Sequence, residues 1–278
     1  LEQEPERGEM YVNRGVVHLK LSNIQRALSD FNKALKLRPG MNPALVNRGA
    51  AYTRLGDVGG AKELIPSRCY RLAIADYDRV LSQGFQPAAL AYNNRGFAWL
   101  QLGRRPGGDP EKCFGKAIED TTKSITLAPE FALAWHDRGK ARLHLGQFRT
   151  LQEIDARQLL EKAVGDFDRA LALKPQSADT HLERGMTHDF LGRIETVLRI
   201  DPTEHRRKAL EDYKAAISLD PRYWQANSNL GELLEILGRL EEALASYEAA
   251  YKIVGDRHPP LKESMERVRG KLREEKRD

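Results

Sequence analysis

Residues 14–34 read RGVVHLKLSNIQRALSDFNKA and residues 230–250 read LGELLEILGRLEEALASYEAA. Gly15, Ala27, Phe31 and Ala34 in the first stretch have the same offsets as Gly231, Ala243, Tyr247 and Ala250 in the second. Between them a glycine recurs behind an arginine at Gly49, Gly96, Gly139 and Gly185, so successive glycines lie 34, 47, 43, 46 and 46 residues apart. A unit of about 34 residues, lengthened in places by extra sequence, marks a repeat stack. Its second half recurs as Ala27 to Phe31, Ala73 to Tyr77, Ala117 to Thr121, Ala163 to Phe167, Ala209 to Tyr213 and Ala243 to Tyr247. Small residues at fixed places on two successive helical patterns let an antiparallel pair approach closely, and the aromatic is expected to fill the gap between pairs. Pro39, Pro129, Pro175 and Pro221 close four of the second helices, because proline cannot continue a helix.

Six such units in register resemble the tetratricopeptide repeat family over nearly the whole chain. The resemblance implies an all-α fold, a right-handed α-α superhelix or solenoid of helix pairs. Its repeats fall near 8–41, 42–88, 89–131, 132–177, 178–223 and 224–257, after a flexible tail over 1–7. A capping helix and tail follow over 258–278, where Leu261, Met265, Val268 and Leu272 share one helix face.

A charged fraction of 31% and the lack of any apolar run near the roughly 20 residues that span a bilayer exclude a membrane span. The net charge of +5 is spread over both signs without a clustered basic face, which argues against nucleic-acid binding. Leu1 rather than Met is expected of a trimmed start, so the compartment stays open. Cys69 and Cys113 sit at equivalent places in adjacent repeats, and stacked helices are too far apart for a ready disulfide, so thiols are expected. His136, His144, His181 and His188 lack the spacing of a helical metal site and read as ordinary helix residues. No catalytic residue, metal or cofactor is implied, and catalysis by this chain alone is not expected.

The four middle repeats carry extra residues between Gly56 and Ala73, Gly103 and Ala117, Gly146 and Ala163, and Gly192 and Ala209, against the short turns Ser22 to Ala27 and Gly238 to Ala243. Asp109, Asp155 and Asp201 precede early starts of the second helices, the last with a capping box. Phe148, Leu151, Ile154, Ile194, Val197, Leu198 and Ile200 are expected to cover the extended helix. The insertions are expected to form a ridge along one edge.

With the repeat glycine as position 8, the resemblance turns positions 2, 5, 6, 9, 12 and 13 towards a concave groove. Position 6 is Asn13, Asn47, Asn94, Asp137, Glu183 and Asn229, and position 9 includes Phe97, Lys140 and Met186. An asparagine amide both donates and accepts, so such a column can hold a peptide backbone without reading its sequence. The column is similar to the asparagine ladder of O-linked N-acetylglucosamine transferases and some transport receptors. Lys20 and Arg54 in early repeats, against Asp179, Asp189, Glu232 and Glu235 in late ones, imply a charge gradient that would orient the ligand. At position 7, Arg14, Arg48, Arg95, Arg138 and Arg184 co-occur with Asp30, Asp76, Asp120, Asp166 and Asp212, while Leu230 and Ser246 replace both in the last repeat. A structural Arg to Asp pair within each repeat is therefore expected. The function implied is a non-catalytic protein–protein interaction scaffold binding a segment of a partner in the groove. The alternatives are a structural subunit that self-assembles through the ridge or by end-to-end stacking, and a regulatory arm of an enzyme.

Overall fold

The periodic small and apolar residues fold into helices that each bury one stripe. In a computed structural model that describes residues 3–59 and 65–275, with side chains from residue 7 onward, thirteen α-helices and no strand occur among the described residues. They are α1 (Gln3–Lys20), α2 (Ile24–Leu37), α3 (Asn42–Asp57), α4 (Pro66–Ser82), α5 (Ala88–Gly103), α6 (Pro110–Leu127), α7 (Ala132–Leu151), α8 (Arg157–Leu173), α9 (Ala178–Val197), α10 (Thr203–Leu219), α11 (Trp224–Ile236), α12 (Leu240–Val254) and α13 (Pro259–Glu275). Of the tail expected over 1–7, residues 1 and 2 lie outside the described residues, and helix α1 already begins at Gln3.

The chain divides into two units, residues 1–156 and 157–278, with the division inside the fourth repeat. In the first unit α1 packs on α2, α3 on α4 and α5 on α6, and each second helix packs on the first helix that follows. The second unit pairs α9 with α10 and α11 with α12, with α8 against α9 and α13 against α12.

A close approach explains the repeated glycine. A Cβ on Gly15 would lie 2.5 Å from Phe31 Cε1, and one on Gly49 would lie 2.8 Å from Tyr77 Cζ. Gly185 faces Tyr213 and Gly231 faces Tyr247 in the same way, each at 2.9 Å. The aromatic thus fills the space inside its own helix pair, a correction to the expected place between pairs. Phe31, Tyr77, Tyr213 and Tyr247 are buried, and burying a side chain of that size is worth about 1.5–3 kcal/mol.

The insertions differ from the expected ridge of covering loops. Where the short turns place a left-handed residue at Ser22 and Gly238, the long ones place it at Glu153 and Arg199, seven residues further from the repeat glycine. The closing bond is the same in all four: Asn23 N–H to His18 C=O at 2.8 Å, Arg239 to Leu234 at 2.9 Å, Ile154 to Arg149 at 2.9 Å and Ile200 to Glu195 at 2.8 Å. This is the 6→1 bond of a helix C-terminus. Two turns are therefore added to α7 and α9, and the remaining five residues of the fifth repeat's insertion lengthen α10. Leu151, Ile154, Val197, Leu198 and Ile200 end up exposed at the helix junctions and cover nothing. Asp109 caps α6, accepting from Lys112 N–H at 3.1 Å. Asp201 accepts from Thr203 N–H at 3.0 Å, but Glu204 pairs with Arg207 instead of closing a capping box. Part of the first insertion, residues 60–64, lies outside the described residues.

Helix α13 covers the end of the stack. Leu261, Met265 and Val268 are buried in one cluster with Leu240, Tyr247 and Ala250, and Leu272 packs at its edge. Glu235 of α11 accepts from Arg267 and from Lys271, each at 2.9 Å. Arg267 foremost, with Lys271, holds the Glu235 carboxyl down to about 2. Val268→Asp is expected to cost about 2–4 kcal/mol by burying an unpaired carboxylate and to release α13. Urea denaturation with hydrogen exchange over 259–275 tests it, and unchanged protection there would refute the cap.

Candidate functional site

The arginine at position 7 organises each repeat. Arg14 donates from Nε and Nη2 to the two carboxylate oxygens of Asp30 at 2.8 and 2.7 Å. The same fork joins Arg48 to Asp76 (2.9 and 2.6 Å), Arg95 to Asp120 (both 2.7 Å) and Arg184 to Asp212 (2.9 and 2.7 Å). Four of the five expected pairs thus form. Arg138 and Asp166 belong to different units, and their pairing stays an expectation.

Nothing in the sequence pattern hinted at the third bond. Arg48 Nη1 donates to Asn32 at 2.8 Å, Arg95 Nη1 to Asp78, Arg138 Nη1 to Thr122 at 3.2 Å and Arg184 Nη1 to Asp168 at 2.6 Å. Each acceptor lies on the second helix of the preceding repeat, two residues after its position-23 residue. One guanidinium therefore ties its own helix pair and joins it to the pair before. The aspartates are buried. Arg14 holds the Asp30 carboxyl below its ordinary value, whereas burial pushes Asp76 up against the opposing pull of Arg48.

The expected groove residues divide between the units. In the first unit Asn13 is exposed on α1, and Asn47 of α3 and Asn94 of α5 are half-buried on neighbouring first helices. Phe97 and Lys140 are also half-buried, and Leu90 and Leu133 are exposed on α5 and α7. Asn47 Nδ2 donates to Pro43 C=O within its own helix at 2.7 Å. Asp137 departs from the open column: it is 4% exposed and accepts from Asn93 Nδ2 at 2.9 Å. In the second unit Glu183, Met186 and Asn229 are half-buried on α9 and α11.

The charges expected to form a gradient are largely engaged within the fold. Arg54 donates to Leu19 C=O at 2.8 Å. Arg193 Nη2 lies 2.9 Å from both Asp189 and Glu232, Tyr223 donates to Asp179, and Glu235 is held by α13. Cys69 and Cys113 are buried thiols, both pushed up by burial.

A histidine pair falls inside the fifth repeat. His188 Nδ1 of α9 lies 3.0 Å from His205 Nδ1 of α10, so one ring must donate and the other accept. His205 Nε2 faces Glu195 at 3.3 Å and Glu161 of α8 at 3.4 Å. Burial first, then the His205 charge, lowers His188 to about 4. Its partner lies 17 residues away on the insertion, so helical spacing within one element did not reveal it. His181 Nδ1 instead joins Asp212 at 2.9 Å.

This architecture defines a class, the helical-repeat proteins built from stacked antiparallel pairs. Family models described as tetratricopeptide repeat match residues 8–41 and 203–258. A protein SGT1 homolog of Oryza sativa subsp. japonica is 40% identical over 62 residues, which is 22% of this chain and 17% of that protein. Among solved structures, a thermophilic TPR protein of Thermus thermophilus matches 79% of this chain and 98% of its own, at 23% identity and a TM-score of 0.55. A chain of the APC/C hetero-tetramer Cut9–Hcn1 matches 95% of this chain and 43% of its own, at 16% identity and a TM-score of 0.69. The chain is a tetratricopeptide repeat protein. The fold is that of a protein–protein interaction scaffold in general terms. No helix among the described residues is long and apolar enough to cross a membrane.

Two outcomes follow from the site. Asp76→Ser strands the Arg48 charge at a cost of about 3 kcal/mol. Arg48→Leu with Asp76→Ser, which reproduces the Leu230 and Ser246 pair of the last repeat, should cost less than Asp76→Ser alone. Additive losses in a double-mutant cycle by urea denaturation would show that the pair is not coupled. For His188, whose folded-state value lies below the roughly 6.5 of a free histidine, the unfolded chain takes up the proton first. Stability should fall as pH drops from about 6.5 to about 4 and flatten below. His188→Leu should remove that slope from denaturation curves at stepped pH, and an unchanged slope would assign it elsewhere.

Proposed function

We infer that this chain is a non-catalytic scaffold that holds an extended segment of a partner protein across the first helices of the first unit. The observation that carries the reading is the placement of Asn47 and Asn94, half-buried amides at one register on the neighbouring helices α3 and α5. Asn47 keeps its carbonyl oxygen for a ligand N–H while its amide hydrogen bonds Pro43. The exposed Leu90 and Leu133 and the half-buried Phe97 supply apolar contacts beside the amides. Lys140 adds a cation, so a carboxylate on the segment fits that end. In the second unit Glu183, Met186 and Asn229 form a separate surface of opposite charge. Asp137, tied to Asn93, has a positioning part within the stack.

A different observation favours self-association. The helix junctions of the long repeats expose Leu151 with Ile154, and Val197 with Leu198 and Ile200. Light scattering across a concentration series separates this reading from a monomeric scaffold.

Asn47→Ala with Asn94→Ala should weaken most captured partners alike, read by affinity capture and mass spectrometry, with helicity unchanged by circular dichroism. Undiminished capture by the double variant would remove the backbone-holding reading. Loss confined to one partner would replace it with side-chain readout.

A further inference from the structure

Helix α1 carries a face built for a helix that is not there among the described residues. Met10, Val17 and Leu21 fall at i, i+7 and i+11 on one side of it and are 69%, 54% and 65% exposed. Counted from the repeat glycine, the same places on α3 are Ala44, Ala51 and Leu55, all buried. Those three share one cluster with Leu28 and Leu35 of α2, the second helix of the preceding repeat. On α5 the places are Ala91, Ala98 and Leu102, again buried, and α4 packs against that helix. The stripe on α1 is thus the surface that later repeats bury under a preceding second helix.

The polar half of that interface is also present on α1. Arg48 and Arg95 each give a third hydrogen bond to the helix that covers them, to Asn32 and Asp78. Arg14 makes the same fork to its own Asp30, but its Nη1 bonds nothing among the described residues. Its side chain is 56% exposed, against 22% for Arg48 and 18% for Arg95. Arg14 and Lys33 both lie over the Tyr11 ring, at 5.4 and 5.6 Å, so the surface around the missing acceptor is cationic. A cavity of 440 Å³ beside it is lined by Arg7, Met10, Tyr11, Asn13 and Arg14.

We propose that this end of α1 is a docking site for an amphipathic α-helix of a partner protein. That helix lays an apolar stripe on Met10, Val17 and Leu21 and presents an Asp or Asn to Arg14 Nη1. The charge decides against a second copy of the chain as occupant. An isologous contact centred on the stripe would oppose Arg14 to the Arg14 of the copy, and like charges there cost affinity. An acidic helix answers the cation and completes the bond that the internal repeats make. The mode is that of a helix seated on an apolar surface, with one polar contact fixing its register. The site is distinct from the amide surface of α3 and α5.

A labelled peptide of residues 66–83 is a suitable probe, because it is the helix that covers α5 and it carries Asp78. Fluorescence anisotropy with the full chain should show saturable one-to-one binding. Val17→Glu in the protein and Asp78→Lys in the peptide should each weaken it tenfold or more. Val17 is exposed, so its variant should keep its helicity by circular dichroism, and Asn47→Ala with Asn94→Ala should leave probe binding intact. Absence of saturable binding, or binding indifferent to Val17→Glu, overturns the proposal. A dimer in light scattering that Val17→Glu dissociates assigns the face to a second copy and also overturns it. So does a longer natural form of the polypeptide that refuses the probe while this chain accepts it, because the face is then filled from within.

Discussion

The forked bond from the position-7 arginine to the position-23 aspartate governs the rest of the structure. It occupies two donors of the guanidinium and leaves the third pointing at the repeat before. Lysine has no planar fork and could not hold both helices of a pair and the neighbouring pair at once. Burial of Asp76 works against its ionisation, so these pairs are costly to form and costlier to break. Their contribution lies in geometry: a carboxylate buried among the stacked helices accepts one arginine placement. The glycine and aromatic contact sets how closely each pair approaches, and the arginine sets how each pair meets the next.

Much of this was legible in the sequence, for a physical reason. Gly15 facing Phe31 and Gly49 facing Tyr77 admit no Cβ, so the residue type itself records the contact. The Arg to Asp fork was legible because both members change together at Leu230 and Ser246. The third bond was hidden because its acceptor is any short polar side chain, and Asn32, Asp78, Thr122 and Asp168 share no single type. The insertions read as loops because their stops fall at Glu153 and Arg199, where a left-handed conformation is held without the glycine that usually signals it. Apolar residues at those stops look like covering residues in sequence, and only the backbone shows that nothing lies beneath them.

The candidate site was less legible than the fold. Register places Asn13, Asn47, Asn94 and Asp137 in one column, but register does not say what else competes for each side chain. Asn93, one residue before Asn94, reaches the next first helix and takes Asp137 into the stack. Asp189, Glu232 and Glu235 look like an acidic lining until Arg193 and Arg267 are placed beside them. Long cationic side chains cross between elements, and their reach is not encoded in the spacing of the acids they meet.

The two ends of the chain resolve the same repeat interface differently. At the last repeat, the residue two after Asp212 is Lys214, and an arginine at position 230 would have met a like charge there. Leu230 removes the conflict and its partner aspartate becomes Ser246. Glu235 then supplies the polar tie, outward to Arg267 and Lys271 of α13, while Val268 and Leu261 bury the apolar side. Covering the end thus took a change of polar partner as well as an apolar helix. At α1 no such change has been made: Arg14 keeps the fork and the spare donor of an internal repeat, and Met10, Val17 and Leu21 keep its apolar stripe. That end retains the chemistry of an interface where the opposite end has the chemistry of a cap.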